Sequence, residues 1–244
     1  MTTTPPRKTS ATKSRLARRP GVREQAAQAT QDSILRAAIR VFAKHGFEGG
    51  RIQQISKAAK SFDRMIYYYF GNKEGLFIAV LEAIYARFNE AESDLKLDPN
   101  DPVRSLKAIV EFMAKYYQKH PEFVALLNTE NLHRGKHISK SAHAREYSSP
   151  AVAVLDGVLK DGASRGLFRP DARARDVYLM IASMGYFYVS NRFTLSAFLG
   201  EPLDTEAACA DWRKFMADAV LRTVSVGSSA KPSTSATALV FERA

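Results

Sequence analysis

The sequence predicts an all-α fold, a three-helix head followed by a larger helical region. Apolar residues recur three and four apart in one segment after another, the period of a helix with one buried face. No alternating apolar and polar run is long enough to make a strand. Runs rich in Pro, Gly and Asp, such as Asp98–Pro102 and Gly166–Asp171, punctuate the periodic segments. The 244 residues suffice to bury a proper core in one large domain or two modest ones.

Residues 1–27 are rich in Thr, Ser, Pro, Arg and Lys and lack apolar periodicity, so a disordered basic arm is expected there. Such an arm either reaches the minor groove or phosphates of a duplex, or is a solvated tail. From Gln31, the apolar positions Ile34, Leu35, Ala38, Val41 and Phe42 follow helical spacing up to Gly46, a C-terminal stop. A second helix covers Arg51–Ala59, with Ile52, Ile55, Ala58 and Ala59 on one face and Gln53, Gln54, Ser56 and Lys57 elsewhere. A third opens near Phe62, where Ser61 or Asp63 can accept a hydrogen bond from the free amides of its first turn. Within it Ile66 and Phe70 face inward, leaving Arg64, Met65, Tyr68 and Tyr69 around the outer surface and Tyr67 at its edge.

Asn72 is placed to cap a fourth helix, along which Leu76, Phe77, Val80, Leu81, Ile84, Tyr85 and Phe88 recur. Pro102 suits the first position of the next helix. Helices follow over roughly Val103–His120, Pro121–Leu132, Pro150–Arg165, Ala174–Asn191 and Thr205–Val224, giving a bundle. Residues 227–244 are a low-complexity tail of Ser, Ala and Thr, expected to be disordered.

Two short helices joined by a tight turn, the second rich in Tyr beside one Arg, have the build of a DNA-reading helix-turn-helix. The charge agrees: 36 Lys and Arg against 25 Asp and Glu give +11 and favour a polyanionic partner. Residues 1–30 hold seven cations against Glu24 alone, a net of +6. Within the motif Arg64 and Met65 are assigned to bases, with Asp63 able to accept from cytosine's amino group. Tyr67, Tyr69, Lys73, Lys60 and Arg51 are assigned to the surrounding DNA contacts, chiefly phosphates, with packing inside the head the alternative for the tyrosines, Tyr67 above all.

The Ala58-Ala59 pair, the string Ile66–Phe70 and the run Lys73–Phe77 resemble the helix-turn-helix of the TetR family of bacterial transcriptional regulators. The resemblance covers about residues 28–90. It departs at Lys60, where the family usually has Gly at a turn position that tends to need positive φ. The resemblance implies a DNA-binding domain over 28–88, with its helix-turn-helix at 51–70, and a helical ligand-binding and dimerisation domain over 89–226. It further implies a homodimer on a palindromic operator, a small-molecule effector as second partner, and repression relieved by that inducer. The apolar stretches Val177–Val189 and Trp212–Val224 are the candidate dimer interface. A helical ligand-binding or scaffold protein whose head no longer reads DNA is the alternative.

In the second region, Met and aromatic residues suit a pocket for a flat or apolar molecule, though most such residues build ordinary core. Met113, Tyr117, Asn128, Asn131, Met184, Tyr188 and Arg192 are the candidate ligand residues, Arg192 as anchor for a carboxylate, with an intrachain salt bridge as its alternative role. His133, His137 and His143 lie close together, but their Lys and Arg neighbours point to an exposed basic loop, and no metal site or cofactor is assigned. One cysteine, Cys209, makes no intrachain disulfide. With no signal or membrane run, the expectation is a cytoplasmic protein without membrane contact. No phosphate loop, nucleophile elbow or Cys with a nearby helper is present, so a binding protein rather than an enzyme is expected.

Overall fold

The computed structural model describes residues 21–143 and 149–227. The arm expected over residues 1–20 and the tail from 228 onward lie outside these residues. The described chain is α-helical: α1 (Val22–Gly49), α2 (Ile52–Ala59), α3 (Asp63–Phe70), α4 (Lys73–Ser93), α5 (Pro102–Lys119), α6 (Pro121–Leu132), α7 (Ser149–Ser164), α8 (Ala174–Leu199) and α9 (Glu206–Val224). A 3-10 turn at Ile138–Lys140 follows α6, and Phe168 and Ser225 make an isolated bridge. No helix among the described residues is long and apolar enough to cross a membrane.

Helix α1 begins at Val22, so residues 22–27, expected as part of the arm, are helical. Near its end Gly46 takes φ 68°, open to a residue without Cβ, and breaks the helix where the sequence placed a stop. Ile34, Ala38 and Phe42 of α1 are fully buried against Ile55 of α2, Ile66 of α3 and Phe77 of α4. Asn72 caps α4 as expected, its Oδ1 accepting from the Gly75 N–H at 2.7 Å. Pro102 opens α5 behind an Asp101 cap.

The core continues without a break from the head into the bundle, from Val80 and Ile84 to Leu106, Val110 and Met113 and on to Ile181 and Met216. The expected domain boundary at 88/89 falls inside α4, which runs unbroken from Lys73 to Ser93. Helix α8 extends past the expected Asn191 to Leu199 before Gly200 ends it. Helices α5, α8 and α9 pack together, and α8 and α9 leave Leu179, Phe187, Phe193, Phe198 and Phe215 more than half exposed.

Candidate functional site

The turn between α2 and α3 is built by Lys60 at φ 52°, ψ 43°, the left-handed position where a glycine was the expected residue. A lysine there carries backbone strain but adds a cation at the rim of the head. On α2, Gln54 Oε1 accepts the Arg51 N–H at 3.1 Å and closes the helix start. The buried Ser56 hydroxyl donates to the Asp63 carboxylate and pins α3 onto α2. Asp63 therefore acts first as a structural tie, with one oxygen already occupied. Neither it nor Ser61 caps α3, whose N-cap is Phe62 without a side-chain bond.

Helix α3 presents a basic and aromatic face. Arg64 is exposed, and Tyr67 and Tyr68 are 51% and 78% exposed, which excludes packing of either ring within the head. Met65 and Tyr69 are half-buried and pack against the core, so they reach outward less than the sequence reading assumed. Lys73 is half-buried, its ammonium donating to Glu48 O at 3.1 Å and lying 4.9 Å from the Phe47 ring centroid. That amine locks α4 to the end of α1 and keeps two further N–H donors. Arg51, Lys57 and Lys60 complete the exposed cations of the motif. Phe62, 69% exposed beside Arg64, and Tyr68 are also open to solvent, though neither is among the residues that the sequence assigns to DNA. An aromatic residue in place of a capping one was the available signal for Phe62.

Beyond the head, a cavity of about 390 Å³ opens between α4, α5, α6 and α8. Tyr85, Phe88, Tyr117, Phe123, Tyr178 and Tyr186 supply aromatic walls, and Asn131 and Ser183 supply polar groups. Burial pushes the Tyr85 phenol up to about 12, helped by its neighbours Tyr178 and Glu130. Burial also raises Tyr117 and Tyr178. These phenols stay protonated at neutral pH and can donate hydrogen bonds.

Two of the seven sequence-assigned ligand residues, Tyr117 and Asn131, line this cavity. Met113 is fully buried in core. The Asn128 amide donates to Ser190 Oγ at 3.0 Å and accepts from the Tyr186 hydroxyl, linking α6 to α8 from behind the wall. Met184 packs against the core and accepts the Trp212 indole N–H on its carbonyl. Tyr188 is buried with its hydroxyl on Leu203 O. Arg192 donates to Val189 O, lies 4.3 Å from the Phe193 centroid, and faces a smaller groove with Gln118 and Cys209. No Lys, Arg or His is among the residues lining the cavity, so the carboxylate anchor expected of Arg192 is not in it.

The segment after α6 joins cavity and head. Arg134 and Gly135 turn the chain with positive φ, and His137 then inserts fully buried, 4.5 Å from the Phe47 ring and 4.9 Å from Phe77. The exposed basic loop expected here is thus corrected at His137. The buried Glu130 carboxylate accepts three N–H groups: His137 N at 2.8 Å, His137 Nδ1 at 2.7 Å and Ile138 N at 2.9 Å. His133 bonds Thr129 O and lies edge-on to Phe47. Among the described residues, no group of three or more His, Cys, Asp and Glu could hold a metal. Ile138, next to His137, lines the cavity. Lys140 pairs with Glu74 at 2.7 Å and Ser141 donates to Glu82, fastening the segment along α4.

A helix-turn-helix with an exposed cationic and aromatic reading face, built on the same helix that walls an apolar cavity, defines a DNA-binding transcriptional regulator. The family model described as bacterial regulatory proteins, tetR family, matches residues 34–80. The model of the tetracyclin repressor-like C-terminal domain matches residues 102–220. The HTH-type transcriptional repressor NicS of Pseudomonas putida is 56% identical over 205 residues, spanning 84% of this chain and 97% of that one. The HTH-type transcriptional repressor SCO4008 of Streptomyces coelicolor is 29% identical over 163 residues, 66% of this chain and 79% of that one. The chain belongs to the tetR family. The crystal structure of the putative transcriptional regulator SCO4942 from Streptomyces coelicolor shares the fold, with a TM-score of 0.61 at 22% identity over 80% of this chain and 98% of that one.

Proposed function

We propose that the protein is a homodimeric repressor of a palindromic operator, released from DNA by a small molecule bound in the cavity between α4, α5, α6 and α8. The observation that carries this reading is the continuity of α4. Its first turn, at Asn72 and Lys73, lies next to the reading helix, and its Tyr85 and Phe88 wall the cavity. A ligand shifts an equilibrium only through different affinities for two states. One that moves the α4 end at the cavity moves the reading helix at the other. The Ile138–His137 step supports a second route, with one residue at the cavity and its neighbour against Phe47 and Phe77.

In this reading Arg64 hydrogen-bonds base edges with Met65 beside it, and Arg51, Lys60, Tyr67, Tyr69 and Lys73 position the phosphate backbone. The ligand is flat and largely apolar, held between aromatic rings and oriented by Asn131, Ser183 and the phenol hydroxyls. Dimerisation is supported by the exposed apolar side chains of α8 and α9, Phe187, Phe198 and Phe215 among them, since an exposed apolar surface marks an interaction site. A two-fold dimer doubles the base pairs read and requires a palindrome. The test is to select an operator from random duplexes, then assay flat aromatic metabolites handled by the adjoining genes. Release from operator together with a raised melting temperature supports the proposal. Binding of such compounds without any change in operator affinity refutes the release mechanism.

A further inference from the structure

We infer that Phe62 is a specificity-determining residue of operator recognition, reading the C5-methyl group of a thymine beside the guanine read by Arg64. The inference rests on the DNA-reading function proposed above. The N-cap of a helix favours Ser, Thr, Asp or Asn, whose oxygen satisfies a free amide of the first turn. Phe62 occupies that position on α3, supplies no such bond, and leaves its ring 69% exposed. The side chain therefore does little for the fold: it neither caps the helix nor fills the core.

Its position gives it another use. In a helix-turn-helix the first residues of the second helix approach the base edges of the major groove. The Arg64 guanidinium carbon lies 5.3 Å from the Phe62 ring centroid, so the cation and the ring project as one unit. Asp63, between them in sequence, is tied back to Ser56 and does not separate them. The two chemistries match neighbouring bases: arginine suits the O6 and N7 acceptors of guanine, and an apolar ring suits the methyl group that marks thymine. Stacking on Phe62 also restricts the guanidinium before DNA arrives, which lowers the cost of ordering it on binding.

The test selects operators from random duplexes with the wild-type protein and with Phe62→Ser, then replaces single thymines by uracil, a change that removes only the methyl group. The wild type should prefer thymine at one position per half-site, and uracil there should weaken it about fourfold per half-site, the size expected for one buried methyl-sized group. Phe62→Ser should bind the thymine and uracil operators equally while keeping the neighbouring guanine preference. Because serine can supply the missing cap, its melting temperature should match or exceed that of the wild type, which separates lost reading from lost folding. A thymine preference retained by Phe62→Ser, equal binding of both operators by the wild type, or a melting temperature lowered by several degrees would each overturn the inference alone. Failure of the wild type to select any operator would overturn the proposed function with it.

Discussion

Replacing Glu130 with Ala should be among the most damaging single changes outside the central core. Its carboxylate, 7% exposed as part of the residue, is the acceptor for two backbone amides and the His137 imidazole. The His137 side chain is fully buried and its Nε2 has no hydrogen-bond partner among the described residues, so the Nδ1–H bond is its main polar satisfaction. Alanine strands three donors, two of them on the fully buried His137 and the third on the part-buried Ile138. Each costs about 1–3 kcal/mol when unsatisfied, partly relieved if water enters the space left behind, so a loss of about 3–5 kcal/mol is expected. For a chain of this size that lowers the melting temperature by on the order of 10 °C. Glu130→Gln should cost about 1–2 kcal/mol, because Oε1 still serves both amides while the imidazole must move its proton to Nε2, among the Phe47 and Phe77 rings. Urea unfolding at one fixed protomer concentration measures the series. An alanine variant within about 1 kcal/mol of wild type, or a glutamine variant as unstable as alanine, would refute the clamp.

Other consequences follow from the same contacts. Glu92 is buried and burial raises its pKa, so the folded protein holds that proton to higher pH than the unfolded chain, and stability falls as pH rises from the ordinary carboxylate range through the raised value. Glu92→Gln should raise the melting temperature at neutral pH with the gain fading in acid, and a pH-independent difference would contradict this. Gly75→Ala should destabilise by more than the roughly 1 kcal/mol that helix propensity alone would return, because its Cβ would sit 2.2 Å from Phe70 O and push α4 off the reading helix. Melting and operator affinity should fall together, and a stabilised variant would exclude the clash. Phe187→Glu puts a charge on the exposed apolar face of α8 and should shift sedimentation toward monomer and weaken operator binding. An unchanged dimer would move the interface elsewhere.

Much of the head was legible because local chemistry specified it. Asn72 starts α4 where capping rules put it, Gly46 breaks α1, and Lys60 adopts the left-handed turn despite its side chain, while in the bundle Pro102 opens α5 as expected. The cavity was legible only as a region. Tyr186, Phe187 and Tyr188 are consecutive on α8, yet they go to the cavity wall, the exposed face and the buried core in turn. Turning about 100° per residue separates these faces, but periodicity does not say which face meets a void when neighbours pack on both sides. Periodicity therefore points to Met113, Met184 and Tyr188 as readily as to Tyr85, Tyr178 and Tyr186, which line the cavity. His137 was misread for a related reason: its cationic neighbours face outward, while its carboxylate partner sits a turn and a loop away at Glu130.

The most direct test of the account is the ratio of operator to random-duplex affinity for the wild type and Arg64→Ala, measured across a range of salt concentrations. If α3 reads sequence through the exposed Arg64, the variant should lose about 1–3 kcal/mol of discrimination per half-site, while its affinity for random duplex falls far less. An equal loss on both duplexes, with discrimination intact, would contradict base reading by α3 and place Arg64 on the phosphate backbone.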